Sequence, residues 1–231
     1  MRLDRFLSHA TGMPRSHALT HIRAGRVQVN ALPMRDSAHP VDLERDTVLL
    51  SGARVEPFRH LVLVQNKPAG VVTSREVAAA PTVMDLVPSE LRHRDLAPVG
   101  RLDRDTTGLL VLTTDGALNH RLTHPKRHVA KVYIVDLARE LPTDAAERLG
   151  RGLQLDDGPT LPAQLSQVGP LRVALTLREG RFHQVKRMMA ALGSAVVALH
   201  REQVGGLRLP PDLAPGATRR LTAVELAMLW S

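Results

Sequence analysis

Three short stretches of the sequence combine groups that could do chemistry. In Gly100-Arg101-Leu102-Asp103-Arg104-Asp105-Thr106-Thr107-Gly108, a carboxylate stands between arginines just ahead of an apolar run. Neighbouring positive charge would hold it ionised and a rigid strand would aim it, so Asp103 could act as nucleophile or base. On residue types alone, a surface loop of local ion pairs is the commoner outcome. Lys131-Val132-Tyr133 carries the only tyrosine of the chain. Lys131, Tyr133, Val135 and Leu137 alternate onto one strand face, where a phenol could stack on a ring and move a proton. An ordinary half-buried strand tyrosine is the usual alternative. In the third stretch, Glu179 to Met189, the residues Val185, Met188, Met189 and Leu192 form the apolar stripe of a helix that Gly193 ends. Gln184, Lys186 and Arg187 fall off that stripe. A cation among them could meet a carboxylate from another segment, or the three could form a solvated face.

Composition narrows the classes. The chain has 231 residues, 43% of them hydrophobic, enough for one large core or a core with a small appended domain. Cysteine is absent, which excludes disulfides, thiolate nucleophiles and cysteine metal sites. Lys and Arg total 31 against 23 Asp and Glu, a formal charge of +8, so the surface field favours an anionic partner, nucleic acid first. Aromatic content of 2% disfavours a binder built on broad stacking platforms. No run is long and apolar enough for a bilayer span, and the N-terminus lacks a signal-peptide core, so the expectation is a cytoplasmic protein without membrane contact.

The elements that must position these groups divide into two. Leu3, Phe6, Leu7 and Ala10 recur at helical spacing, Gly12 and Pro14 interrupt, and Ser16 is a candidate N-cap for a second helix carrying Leu19 and Ile22. After Gly25, Val27 and Val29 alternate as a strand, with another strand at 47–50. Six arginines (2, 5, 15, 23, 26 and 35) stand against one acid, Asp4, in residues 1–35. Phosphate backbone is their natural partner, Arg15, Arg23 and Arg26 being the candidate contacts. The expected units are 1–56 and 61–231, joined by a linker around 51–60 containing Gly52 and Pro57. Strand-like runs follow at 61–65, 71–73, 108–113, 129–137, 171–177, 195–199 and 205–209, with helical patterns at 116–122, 143–153 and 183–192. That mixture predicts an α+β domain on a mostly antiparallel mixed sheet.

Two resemblances follow from these residues. The start, with Arg2-Leu3-Asp4, Phe6-Leu7, Ser16, Ile22, Gly25 and Val27-Gln28-Val29-Asn30, resembles the S4 RNA-binding domain. Asn66-Lys67-Pro68-Ala69-Gly70, the GRLDRDTTGL loop, the KVY strand, the GRFHQVKRM helix and the tail from Leu199-His200-Arg201-Glu202 through Gly205-Gly206-Leu207 to Leu213-Ala214-Pro215-Gly216 resemble the pseudouridine synthases that modify small-subunit ribosomal RNA. The likeness implies isomerisation of one uridine of 16S RNA, at position 516 in enzymes of that type. It implies a catalytic role for Asp103, an active-site tyrosine at Tyr133, and Lys186 as the basic partner of the aspartate. Arg101, Arg104, Lys67 and Gln184 are implied RNA or substrate contacts. No metal or cofactor is implied. The expected partner is 16S RNA or a partly assembled small subunit, met by a monomer.

Two other classes compete with this reading. A non-catalytic RNA-binding or assembly factor would have no use for an acid inside its most basic loop, which would repel phosphate. A histidine-ligated metal hydrolase is suggested by His17 and His21, and by His120, His124 and His128. Pro125 breaks the common face of the latter group, and no HExxH-type spacing occurs.

Overall fold

Although its surface is rich in arginine, the first unit is organised around a buried acid. The structure is a computed structural model describing residues 1–56, 60–76 and 79–230. The chain divides into a unit Met1–Arg59 and a unit His60–Ser231. In the first, α1 (Leu3–Thr11) and α2 (Arg15–Arg23) pack with the antiparallel strands β1 (Val27–Val29), β2 (Leu32–Pro33), β3 (Val48–Leu50) and β4 (Ala53–Val55), in sheet order β2-β1-β3-β4. Leu3, Phe6, Leu7, Ala18, Ile22, Val27 and Val48 form its core, so both helices present the stripe expected of amphipathic elements. Asp4 is 2% exposed. It accepts hydrogen bonds from the Arg5 amide at 2.7 Å and from Arg15 at 2.8 and 3.0 Å, with Arg2 at 3.3 Å. Burial raises its pKa, but the bonds from Arg2, Arg15 and Arg5 outweigh it and leave the carboxyl below its ordinary value.

Arg15 is exposed and pairs with Asp4, which ties the hairpin together. Two expectations are corrected here. Ser16 is not a cap: the helix begins at Arg15 after Pro14. Gly52 belongs to the turn between the paired strands β3 and β4 and not to a linker. Pro57, in the expected linker, lies outside the described residues.

The second unit is built on one large mixed sheet. Its strands are β5 (Val62–Lys67), β6 (Ala97–Pro98), β7 (Thr107–Thr113), β8 (Lys131–Leu137), β9 (Gln154–Leu155), β10 (Gly158–Pro159), β11 (Gln164–Gly169), β12 (Arg172–Leu177), β13 (Val196–Val204), β14 (Leu207–Arg208) and β15 (Thr218–Arg220). Between them lie α3 (Gly116–Thr123), α4 (Ala145–Arg151), α5 (Gln184–Ala191) and α6 (Ala223–Met228). The main order is β11-β12-β8-β13-β7-β5-β15, with β9 and β10 paired apart. Along that path neighbours run antiparallel except β13 and β7, which are parallel. Both faces are covered: Leu110 and Leu112 of β7 enter a cluster with Tyr133, Val135, Leu175 and Met188, while Leu109 and Val111 join Val64, Leu118, Val204 and Leu229. A strand buried on both sides reads as an unbroken apolar run, which is what residues 108–113 are.

The expected strand at 71–73 is only an isolated bridge, Val72 to Thr82, because the backbone of Val72 bonds Pro81 and Val83 and not a strand of the sheet. The strand expected at 195–199 extends instead to Val204, past the polar residues His200, Arg201 and Glu202. Gly108 explains the parallel junction. It has φ +102°, and a Cβ there would lie 2.4 Å from the Arg201 carbonyl oxygen. No helix among the described residues is long and apolar enough to cross a membrane.

Two outcomes follow. Asp4→Ala should cost the first unit about 2 kcal/mol at neutral pH in denaturant titration, as expected for hydrogen bonds to a charged group. Because the folded pKa of Asp4 lies below the unfolded value, this stabilisation is present above pH ~4 and is lost as pH falls through the folded value. The variant and wild type should therefore converge in acid. Gly108→Ala should destabilise the second unit by roughly 3 kcal/mol or more, through strain at positive φ and collision with backbone.

Candidate active site

The loop carrying Asp103 is fixed from below by a lysine with no exposure. Lys67, at the end of β5, is 0% exposed. Its Nζ donates to the carbonyl oxygens of Thr106 at 2.8 Å, Pro68 at 3.0 Å and Arg104 at 3.2 Å. The three donors of an ammonium are thereby satisfied, two of them by the Asp103 loop itself. Burial pushes Lys67 down to about 8, with the Arg201 charge adding to it, against the opposing pull of Asp105 and Asp103. Lys67 is therefore not an RNA contact as expected but an internal staple, because the peptide carbonyls replace its water shell.

Further bonds complete the loop. The Thr73 hydroxyl donates to the Leu102 carbonyl at 2.8 Å and accepts from the Leu102 amide at 3.2 Å. The Gly70 amide reaches the Arg104 carbonyl at 2.8 Å, and the Thr106 amide closes a turn onto the Asp103 carbonyl at 3.1 Å. With Leu102 buried beneath it, Asp103 is left half-exposed at the edge of a cavity of about 530 Å³. Arg101 is exposed and lines the same cavity. Arg104 is exposed and turned back so that its Nε donates to the Gly70 carbonyl at 3.2 Å.

Tyr133 and Lys186 reach this cavity from β8 and α5. Tyr133 is buried to 8% exposure and belongs to the large apolar cluster. Lys186 makes its closer contacts with Asp105, whose two carboxylate oxygens accept from Nζ at 2.7 Å, and lies 3.8 Å from Asp103. Its expected pairing with Asp103 is thus the longer of two. The Lys186 hydrogen bond holds Asp105 below the usual carboxylate range, against a smaller effect of burial. Asp103 has a second basic neighbour, His183, whose Nε2 lies 3.5 Å away. His183 precedes α5 at φ +48°, a conformation rare for a side-chain-bearing residue.

Gln184 lines the same cavity but is tied into the fold. It is 4% exposed, donates to Glu179 at 2.6 Å and accepts from the Arg181 amide at 2.9 Å. It fastens residues 179–184 and does not face solvent, since one buried amide satisfies both a carboxylate and a backbone donor. Asp105, His183, Arg201 and Lys131 were not singled out as site residues from the sequence. All four sit inside motifs whose other members carry the expected roles, and it is strand pairing that brings Arg201 to the cavity.

Comparison with known proteins gives a consistent picture. The family model for RNA pseudouridylate synthase matches residues 61–191. A ribosomal small subunit pseudouridine synthase A from Yersinia pestis is 42% identical over 233 residues, covering 98% of this chain and 97% of that protein. The protein of the same name from Escherichia coli (strain K12) is 41% identical over 229 residues, covering 98% and 99%. A solved structure described as a pseudouridylate synthase superposes with TM-score 0.71 at 37% identity, covering 99% of each chain.

The staple is testable by stability. Lys67→Met should cost roughly 3 kcal/mol in denaturant unfolding of the second unit, since the Thr106 and Pro68 carbonyls lose this donor and the Arg104 carbonyl keeps only the Gly70 amide. Arg104→Ala, at an exposed side chain, should change it by less than about 0.5 kcal/mol.

Proposed function

The chain belongs to the RNA pseudouridylate synthases, and from that premise we propose that it isomerises a single uridine of 16S ribosomal RNA, at position 516, with Asp103 as its essential carboxylate. Asp103, Tyr133 and Lys186 come from three distant segments and face one cavity, and this convergence supports the assignment most directly. The substrate choice draws on the small-subunit enzymes that the chain matches nearly end to end.

The chemistry sets demands that these residues meet. The C1′–N1 bond breaks with its electron pair leaving on the base. Asp103 either bonds C1′ or removes the 2′ proton. The base turns, and C5 joins C1′ as the Asp103–C1′ bond breaks or as the proton taken from C2′ is returned to it; the C5 proton is then lost and N1 gains one. Atoms balance within the nucleotide, so the reaction consumes no co-reactant. Tyr133 stacks against the ring and assists removal of the C5 proton. Lys186 places a positive charge beside Asp103, and the His183 imidazole lies against the same carboxylate. A base within a duplex or stacked loop must be flipped to reach the carboxylate, and backbone contacts supply the energy for it. Arg101 at the cavity mouth suits that role, as do the exposed Arg23 and Arg26 of the first unit, which we read as an S4-like RNA-binding domain. The enzyme acts as a cytoplasmic monomer on 16S RNA or a partly assembled small subunit.

Carbodiimide and primer-extension mapping of 16S RNA, and of a partly assembled subunit, should give a new stop with wild type and none with Asp103→Asn. Tight binding without a stop on either substrate would point to a non-catalytic RNA-binding factor. Arg23→Ala with Arg26→Ala should weaken RNA binding and flatten its salt dependence by about 0.9 for each phosphate no longer neutralised. An unchanged slope would remove the first unit from RNA recognition.

A further inference from the structure

Beneath the Asp103 loop the cavity holds positive charge that the steps above do not use. Arg201 on β13 is 2% exposed. Its Nε donates to the Leu109 carbonyl at 2.8 Å, and its Nη2 is buried without a hydrogen-bond partner among the described residues. Lys131 on β8 is half-buried, and its Nζ donates to the Val129 carbonyl at 3.1 Å. Burial, and then the charge of Arg201, push Lys131 down to about 8, with no acid opposing the shift. Both residues line the cavity that Asp103 and Tyr133 also line, and Arg201 stands opposite Tyr133 in the pairing of β13 with β8.

Two desolvated cations close enough to repel each other, one with an idle donor, are costly to maintain unless an anion arrives between them. The surroundings say which anion fits. Leu177, Leu199 and Val204 wall the same cavity, and the Tyr133 ring lies alongside. That environment suits a flat, weakly polar ring better than a hydrated phosphate.

We propose that Arg201 and Lys131 are catalytic residues that hold the uracil ring while it carries the negative charge left by glycosidic cleavage, donating to its O2–N1 edge. This rests on the reaction assigned above and deepens it. When C1′–N1 breaks, the electron pair passes onto N1 and O2, and Asp103 either bonds C1′ or takes the 2′ proton. The charge leaves the ring when C5 bonds C1′, as the Asp103–C1′ bond breaks or the 2′ proton is returned, and the C5 proton is exchanged for one on N1. Donors already in place where charge develops stabilise the transition state without reorganising, as in an oxyanion hole. They also keep a detached base from escaping while it turns.

The test varies the leaving group. RNA fragments carrying uridine or 5-fluorouridine at the target position are incubated at saturating enzyme with wild type, Lys131→Met or Arg201→Met. Loss of the target nucleoside is followed by nuclease digestion and liquid chromatography with mass spectrometry, which separates the isomeric nucleosides by retention. The 5-fluorouracil ring accepts negative charge at N1 more readily and needs less help. With uridine, each variant should slow the single-turnover step by about 100-fold, the scale of losing one oxyanion donor, with RNA affinity little changed. With 5-fluorouridine the loss should shrink to about 10-fold or less. Equal losses on both substrates, or a loss confined to RNA affinity as for a phosphate contact, would overturn the proposal. If Arg201→Met fails to fold, Lys131→Met carries the test alone, because its Nζ holds a single backbone carbonyl. Wild type that consumes neither nucleoside would overturn the assigned reaction, and this proposal with it.

Discussion

The structure of the site depends on one buried ammonium. Lys67 has no water to bond, so its three donors must find carbonyl oxygens, and two of these lie on the loop that bears Asp103. Any other course for residues 103–106 would strand a charge in the interior, which is far more costly than a misplaced surface loop. The constraint therefore acts in both directions. Lys67 is tolerable only because the loop wraps it, and the loop holds one shape because Lys67 requires it. Asp103 gains a fixed position without being buried itself.

The sheet extends this constraint to the other side chains. The single parallel junction of the main path joins β7, which leaves the Asp103 loop, to β13, which carries Arg201. Only glycine at position 108 lets the two backbones approach so closely. On the far side of β13, the antiparallel pairing with β8 sets Tyr133 opposite Arg201. Helix α5 approaches through a loop fastened by Gln184 and Glu179, which brings His183 and Lys186 to the two aspartates. Each group is thus carried on a packed element, as a site requiring fixed geometry needs.

Much of this was legible in the sequence, for identifiable reasons. The apolar run ahead of Thr113 and the stripe of Val185, Met188 and Met189 are direct imprints of burial, so β7 and α5 fall close to where periodicity puts them. The antiparallel character of the sheet follows from many short strands with few helices. What stayed hidden concerns polar residues that the fold turns inward. Lysine and glutamine are ordinarily exposed, and nothing local says that Lys67 and Gln184 will be enclosed by segments distant in the chain. The full course of β13 is hidden because its polar centre, His200-Arg201-Glu202, breaks the apolar pattern. Helix α6 is hidden because, at six residues with none buried, it is held by a capping box and the Arg219–Glu225 pair more than by an apolar stripe.

A staple of this kind predicts a local consequence that overall stability does not report. Hydrogen exchange at the amides of Gly70, Leu102 and Thr106 reads whether the Asp103 loop keeps its bonds. Compared under native conditions, Lys67→Met should exchange at these three positions much faster than wild type, while core amides of β8 and β12 in the same unit change far less. Equal protection of the three amides in both proteins would mean that the loop holds its shape without the lysine, and would contradict the account.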